Sequence, residues 1–288
     1  MRIRSHRFAA LTALAFAVLF GVVSESSAQE SEVMMPAQSA AKAKEILQQA
    51  IEGLGGAAYL NVHDVTCTGR LSLFGHSGEL NGFGHFVDYT IPIAPFRDRT
   101  ENLPKRNIIE VKNGDKGWDL DRGGVTDART SDLARYQEDM KKDIDNILRH
   151  RIHEPDMIFR YGGQDVVDLR EADWVELVDS DNRTIKIAFA RATHLPLRKI
   201  VDTRDANTRM KTDELEYYSN YHPIGGVQTA FQFTRERNHI KIYQVFFDKC
   251  DYNTNLPDSL FSKESLDERW EKVGKGARKK AEKDAKNN

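Results

Sequence analysis

Residues 184–190 read TIKIAFA and residues 227–235 read VQTAFQFTR, and these two segments decide the fold. Ile185, Ile187 and Phe189 alternate with other residues in the first segment, and the second alternates in the same way. A period of two is typical of an antiparallel sheet with one buried and one wetter face. Four similar segments lie nearby, at 174–178, 197–203, 211–218 and 239–249. Short turns such as Gly225-Gly226 leave no room for crossover helices, so the sequence predicts an antiparallel meander over residues 163–250.

The rest of the chain supplies further strands and two helices. Residues 65–74 and 79–90 predict one hairpin, in which Gly82 and Gly84 indicate a bend, and residues 107–111 and 117–120 predict another. Apolar residues at helical spacing predict one helix over 40–54, capped by Ser39, and a second over 131–151. We therefore expect a mainly β, α+β fold. It would be an incomplete antiparallel β-barrel, or strongly curved sheet, with two helices covering the concave face.

The first residues have the composition of a secretory signal peptide. Three arginines precede an apolar run over 8–23, and small residues end at Ala28. The run is short for a membrane span, so we expect cleavage after Ala28 and a periplasmic protein. The chain then divides into a signal peptide (1–28), a flexible leader (29–38), the β domain (39–262) and a charged, disordered tail (263–288).

Charge excludes one class of partner. Residues 29–288 carry 39 basic and 43 acidic side chains, a formal net charge of −4, and nucleic-acid binding usually requires a concentrated basic face. We expect a monomer and no nucleic-acid partner. Seven basic residues lie between 272 and 288, which we interpret as a solubilising tail. The alternative is a weak affinity for anionic lipid headgroups.

Cys67 and Cys250 are the two cysteines of the chain. In an oxidising compartment, two thiols of one domain more often pair than stay free. The alternative is two separately buried thiols that act as small hydrophobic residues. A disulfide would hold the first strand of the domain close to the end of the last strand.

Motifs for catalysis or metal binding are weak. Residues 75–79, GHSGE, resemble a nucleophile elbow, but the second glycine is one place early and the segment is a predicted β–β turn. His150, His153 and Glu154 lack the HExxH spacing of a zinc site. We therefore expect no enzyme, no catalytic residues, no metal site and no cofactor.

Aromatic residues on the predicted sheet faces are the best candidates for a binding site. Most of them are expected to pack as core under the helices. A strongly curved sheet is hard to fill with two helices, however, which leaves room for an apolar cavity. The expected ligand contacts are Phe83, Phe86, Trp118, Trp174, Phe189, Phe231 and Phe233, with Phe246 and Phe247 as further candidates.

Four short motifs resemble those of the LolA/LolB-like periplasmic lipoprotein-carrier superfamily. Residues 95–101, PFRDRTE, are similar to its proline-then-Phe-Arg strand, and residues 113–120, NGDKGWDL, are similar to its glycine-turn-then-Trp hairpin. Residues 195–199, LPLRK, and 225–227, GGV, are similar to its later strand starts. The order of predicted elements agrees with that family over most of residues 40–262.

The resemblance implies an incomplete barrel whose apolar concave face shelters acyl chains. It also implies that Arg99, or Arg97 if the register differs, helps hold the lid closed. The expected partners are a lipid or an acylated lipoprotein, and possible envelope membrane proteins. The alternative function is an envelope interaction or sensor module that carries no lipid.

Overall fold

Thirteen antiparallel strands form one continuous sheet in the computed structural model of the protein, which describes residues 34–204 and 211–286 (without the side chains of 203–204 and 275–286). The strands are β1 Val65–Phe74, β2 Leu80–Ile91, β3 Arg97–Leu103, β4 Ile109–Asn113, β5 Lys116–Asp121, β6 Gly124–Asp127, β7 Ile158–Val167, β8 Arg170–Val178, β9 Thr184–Ala190, β10 Pro196–Arg204, β11 Lys211–Ile224, β12 Val227–Arg237 and β13 Ile240–Tyr252. The helices are α1 Pro36–Leu54, α2 Ala57–Leu60, α3 Thr130–Lys142, α4 Ile144–Arg149 and α5 Lys263–Lys286.

The strand order is β6-β5-β4-β3-β2-β1-β13-β12-β11-β10-β9-β8-β7. Strands that follow each other in sequence are paired, with two exceptions: β1 pairs with β13, and β6 does not pair with β7. All pairings are antiparallel. The sheet does not close, because β6 and β7 lie at opposite ends of this order. The predicted fold class, an open antiparallel sheet with helices, is confirmed.

The junction of β1 and β13 carries the disulfide. Cys67 lies directly opposite Cys250, and their sulfur atoms are 2.03 Å apart. The bond joins residues 183 positions apart, at the place where the two halves of the meander meet. The predicted pairing of the two cysteines is confirmed, and it links the first and last strands as expected.

Helix α1 covers the sheet over β7, β8 and β12. It buries a stripe of Ala43, Ile46, Leu47, Ala50 and Ile51 against strand residues such as Val175, Ile187 and Phe189. The helix begins at Pro36, whereas the sequence placed a flexible leader as far as residue 38 and a cap at Ser39. Ser39 lies inside the helix, where its Oγ accepts a hydrogen bond from the backbone N–H of Tyr161 on β7 (2.8 Å). The proposed signal peptide (1–28) lies outside the described residues.

The second covering helix is broken, which corrects the prediction of one helix over 131–151. Asp143 has an extended backbone (φ −62°, ψ 132°) between α3 and α4, and its Oδ1 accepts from the N–H of Asn146 at 2.8 Å. An aspartate that caps a helix competes with helix continuation, and periodicity of apolar residues does not reveal this. We call α3, Asp143 and α4 together the lid.

The C-terminal segment covers the other face of the sheet near β3, β4 and β5. Phe261 and Leu266 are fully buried there against Ile109, Val111 and Leu120. The sequence predicted a charged, disordered tail over 263–288. The structure instead places α5 over Lys263–Lys286. Its first turns belong to the core because an apolar strand face needs a cover on this side as well.

None of the helices in residues 34–204 and 211–286 is both long enough and apolar enough to cross a membrane.

Candidate functional site

A cavity of about 500 Å³ lies between the concave face of the sheet and the lid. Strands β1, β2, β11, β12 and β13 form its floor, and α3 and α4 form its roof. Asp143, where the backbone between α3 and α4 is extended, lies on the wall of this gap. This space, called the cavity below, is the candidate functional site.

Apolar and aromatic side chains line most of the cavity wall. Tyrosines dominate, and a phenol offers an apolar ring together with one polar end. The wall can therefore receive an apolar chain and still hydrogen bond to a polar group. The aromatic and aliphatic lining residues include Tyr59, Tyr136, Tyr218, Tyr221, Tyr243, Tyr252, Val65, Ile91, Phe96, Ile144, Leu148, Val227, Phe233 and Phe247.

Two carboxyls on neighbouring strands form an acidic part of the wall. Asp88 of β2 accepts hydrogen bonds from Thr100 Oγ1 (2.7 Å) and Thr90 Oγ1 (3.0 Å), and Asp98 of β3 lies beside it. Neither carboxyl forms an ion pair with any described residue. Burial raises the pKa of both groups, and the charge of Asp88 raises the pKa of Asp98 further. The nearby Tyr136 hydroxyl is buried and has no hydrogen-bond partner among the residues described.

An ionic cluster fastens the lid to the sheet. Lys199 of β10 is almost fully buried, contacts Glu216 Oε2 at 2.5 Å, and donates a hydrogen bond to the carbonyl oxygen of Lys142 at the end of α3. Arg235 contacts the other oxygen of Glu216 at 2.5 Å. Burial opposes ionisation of Glu216, but the two cations outweigh it and lower the pKa of Glu216 to about 2. Lys142 itself is buried and contacts Glu214 Oε2 at 2.7 Å.

Asp143, at the break in the lid, faces the cavity close to this cluster. Its carboxyl is desolvated although part of its surface lies along the cavity wall. Burial and the charge of Asp145 raise its pKa to about 6, against the opposing charge of Lys199. The lid therefore carries a carboxyl that protonates in mildly acidic conditions.

Arg149 ends α4 and also lines the cavity. Its side chain is 3% exposed, its guanidinium lies 4.3 Å from the centre of the Tyr59 ring, and Nη2 is 3.8 Å from Asp145 Oδ2. Its Nε and Nη1 are buried and have no hydrogen-bond partner within the described part of the chain. A cation with unused donors therefore lies at the roof of the cavity.

The expected aromatic contacts are spread over several parts of the molecule. Phe233 and Phe247 line the cavity, and Phe86 packs edge-on against Phe247 at 6.1 Å. Phe189 is core under α1, Trp174 packs near Ala172 and Leu197, and Trp118 belongs to the cluster under the C-terminal segment. Phe83 is 62% exposed and Phe231 packs against His222. The structure thus brings two of the nine candidates into the cavity wall, with Phe86 next to them.

Arg99 and Arg97 contact the C-terminal segment and not the lid. Arg99 is buried, pairs with Glu101 Oε1 at 2.6 Å, and donates to the carbonyl oxygen of Leu260 and to Ser265 Oγ, both at 2.8 Å. Arg97 pairs with Asp258 at 2.5 Å. Asp98 lines the cavity, and successive side chains of a strand point to opposite faces, so Arg97 and Arg99 point away from it. The lid is held by Lys199, Arg151 and Arg183 instead.

The tyrosines and carboxyls of the wall were not among the sequence candidates. In β2, Asp88 and Thr90 alternate with Val87 and Tyr89, a pattern that normally indicates the solvent face. The signal that could have revealed them is the pairing of polar residues on two predicted neighbouring strands, Asp88 with Thr100 and Thr90 with Asp98. No motif distinguishes such a pair from an ordinary exposed face.

Comparison with solved structures finds proteins of the same architecture. A DUF1329 family protein from Desulfovibrio piger is similar with a TM-score of 0.56 and 14% identity, over 78% of this chain and 98% of that one. An outer membrane lipoprotein-sorting protein domain from Vibrio parahaemolyticus is similar with a TM-score of 0.55 and 12% identity, over 79% and 99%. A LolA superfamily protein from Nitrosomonas europaea has a TM-score of 0.49 and 13% identity, over 78% and 99%.

No protein-family model matches the sequence, and no curated protein is significantly similar to it. The likeness is therefore one of fold, carried by the first two structures over nearly their whole length. The predicted resemblance to lipoprotein-sorting proteins is confirmed as a likeness of fold to the second of these structures.

Proposed function

We propose that the protein is exported and binds the apolar chain of an amphiphile in the cavity, without catalysing a reaction. The observation that carries this proposal is the cavity itself, a space of about 500 Å³ under a helical lid. Small-molecule sites usually measure roughly 300–1,000 Å³ and are mostly apolar, with a few polar groups. The cavity agrees with both features.

Burial of alkyl chain supplies the binding energy. Each methylene removed from water contributes about 0.8 kcal/mol, so ten methylenes contribute roughly 8 kcal/mol before the cost of ordering the chain. Phe233 and Phe247 provide the apolar floor at this point, and Leu148 provides the roof. A net binding free energy of about 8 kcal/mol corresponds to a micromolar affinity, so a ligand that reaches it must bury more than ten methylenes or add polar contacts.

Ligand entry requires the lid to move. Helix α3 of the lid is held to the β8–β9 turn by ion pairs of Arg183 with Glu138 (2.7 Å) and of Lys141 with Asp181 (3.1 Å). Such partly exposed pairs contribute only about 0–1 kcal/mol each. The junction between α3 and Asp143 is held more firmly, because the buried Lys199 donates a hydrogen bond to the carbonyl oxygen of Lys142. We expect α3 to break its exposed pairs first, while the junction at Lys142 and Asp143 acts as the hinge.

The likeness of fold also suggests a class of ligand and its origin. One structurally similar protein is described as an outer membrane lipoprotein-sorting domain. We propose an acylated lipoprotein or a free lipid as the cargo, and an envelope membrane as its origin.

Binding is tested by native mass spectrometry and by titration with a fluorescent fatty acid. The variant Ala230→Trp places an indole in the cavity, because Ala230 lines the wall. The matched control is Thr126→Trp on the edge strand β6, where Thr126 is exposed. We expect one ligand per chain, at least about 10-fold weaker binding by Ala230→Trp, and unchanged binding by the control. Equal binding by both variants would place the ligand elsewhere.

A second candidate function is recognition of a partner protein at β7. This strand is one edge of the sheet, and exposed edges pair readily with an added strand. Ile158 and Val166 are half or more exposed along it, and Leu169 in the following turn is 97% exposed. Failure of every apolar probe to bind, together with strand pairing at β7 detected by hydrogen exchange, would favour this function.

A further inference from the structure

Within the described part of the chain, Arg149 has two buried nitrogens without a hydrogen-bond partner, more than any other side chain. A guanidinium has five N–H donors, and burial of such a group without partners is costly. In Arg149, Nε and Nη1 are covered and unpaired within the described residues, and Nη2 makes only a 3.8 Å contact with Asp145. A nearby Arg235 shows the usual arrangement, since it contacts Glu216 through two nitrogens at 2.8 and 2.5 Å.

The groups around Arg149 leave its donors available to a ligand. Tyr59 stacks on the guanidinium and gives its hydroxyl hydrogen to Asp145 Oδ1 at 2.7 Å. Tyr252 lies on the sheet below and bonds to Thr229 at 2.8 Å. Asp143, at the start of α4, faces the same region. The carboxylate of Asp145 is thus shared with Tyr59, and it leaves two nitrogens of the Arg149 guanidinium without an acceptor.

We propose that the amphiphile bound in the cavity has an anionic end, a carboxylate or a phosphate, which pairs with the guanidinium of Arg149. This inference rests on the proposed function. Carboxylate and phosphate oxygens match the planar fork of arginine and form two parallel hydrogen bonds with it. Arg149 sits on α4, and its Nε and Nη1 are covered, so the ligand reaches these donors when α4 shifts.

The acidic part of the wall supports a competing expectation. Asp88 and Asp98 lie on the opposite, sheet side of the cavity and would attract an amine. Both carboxyls have hydrogen-bond donors nearby in Thr90 and Thr100, whereas two nitrogens of Arg149 have no acceptor in the described residues. The unmet requirement is therefore for an acceptor, and an anion supplies it.

The test compares ligands that share a chain and differ only in the polar end. Dodecanoate, dodecyl phosphate, dodecanol and dodecylamine compete with a neutral fluorescent probe for the full exported chain, and inorganic phosphate is a fifth competitor. We expect the two anionic amphiphiles to bind at least about 10-fold tighter than dodecanol. Inorganic phosphate alone should not displace the probe.

Two variants of the arginine test its role, with an exposed arginine as control. Arg149→Met should weaken both anionic amphiphiles by at least about 10-fold more than it weakens dodecanol, which removes the preference for an anionic end. Arg149→Lys keeps the charge without the fork, and it should lose part of the preference, which gives a readout if the methionine variant does not fold. Arg160→Met alters an exposed arginine on β7 that pairs with Glu176, and it should change nothing.

Equal binding of dodecanol and dodecanoate to the unaltered protein would overturn the inference and leave the proposed function standing. Tightest binding of dodecylamine would overturn it in favour of the acidic wall. Displacement by inorganic phosphate as effective as by dodecyl phosphate would show a site for free anions instead. Failure of all four amphiphiles to bind would remove the proposed function together with the inference.

Discussion

Asp143 provides a test of the lid, because its carboxylate is buried beside another acidic residue, Asp145, and both conditions disfavour the charged form. Burial and Asp145 raise its pKa from the ordinary 3.8 to about 6. One pKa unit corresponds to 1.36 kcal/mol, so the charged form costs the folded protein about 3 kcal/mol near neutral pH. An asparagine at this position would keep the cap on α4, since asparagine caps helices as well as aspartate does. We therefore expect Asp143→Asn to raise the free energy of unfolding by about 2–3 kcal/mol at neutral pH.

The pH dependence fixes the sign of this effect. The folded protein holds the proton of Asp143 more tightly than the unfolded chain does, so the penalty is fully present above about pH 6. It disappears as the pH falls from about 6 towards 3.8. The advantage of Asp143→Asn should shrink across the same interval.

Urea unfolding followed by circular dichroism at several pH values measures both quantities. Asp156→Asn removes a charge from an exposed position just after the lid and is the matched control, with an expected change near zero. The reasoning is refuted if Asp143→Asn is no more stable than the unaltered protein at neutral pH. It is refuted equally if the gain is the same at every pH.

Three further predictions concern the frame around the cavity. Replacing Cys67 and Cys250 with serine should lower the free energy of unfolding by about 4 kcal/mol, because the disulfide closes a loop between positions 183 residues apart. Equal urea midpoints of the unaltered protein with and without reductant would contradict this. Glu216→Gln should lower the free energy of unfolding by about 3–5 kcal/mol at neutral pH, because the buried Lys199 and Arg235 would lose their shared carboxylate. Since the pKa of Glu216 is lowered from 4.5 to about 2, its stabilisation is present above 4.5 and is lost as the pH falls to 2, and a pH-independent cost would contradict the assignment. Gly69→Ala should lower the free energy of unfolding by about 1–3 kcal/mol, because its Cβ would lie 2.4 Å from the carbonyl oxygen of Phe246. Gly84→Ala is the control and should lower it less, because its Cβ would meet nothing within 4 Å. Similar thermal midpoints for the two variants would contradict this prediction.

Alternation along single strands was sufficient to predict the sheet. Ile185, Ile187 and Phe189 are all buried, and β9 begins and ends where the pattern does. Local spacing also located α1, but it did not reveal that Asp143 breaks the second helix. A cap is specified by one side chain and its tertiary contacts, and the apolar period continues across it.

The site was less accessible to sequence reasoning than the fold. A large aromatic residue such as Phe189 looks the same in sequence whether it fills a core or lines a cavity. The contacts of Arg99 depend on a C-terminal segment 161 and 166 residues further along the chain. The orphaned donors of Arg149 depend on how α4 is placed over the sheet, which no local pattern records.

The most direct test of ligand binding in the cavity is a crystal structure of the protein grown with dodecanoate that carries bromine on its last carbon. We expect one anomalous bromine peak inside the cavity, near Phe233 or Phe247, with the carboxylate at Arg149. A bromine peak outside the cavity, or an empty cavity at saturating ligand, would contradict both the proposed function and the role of the lid.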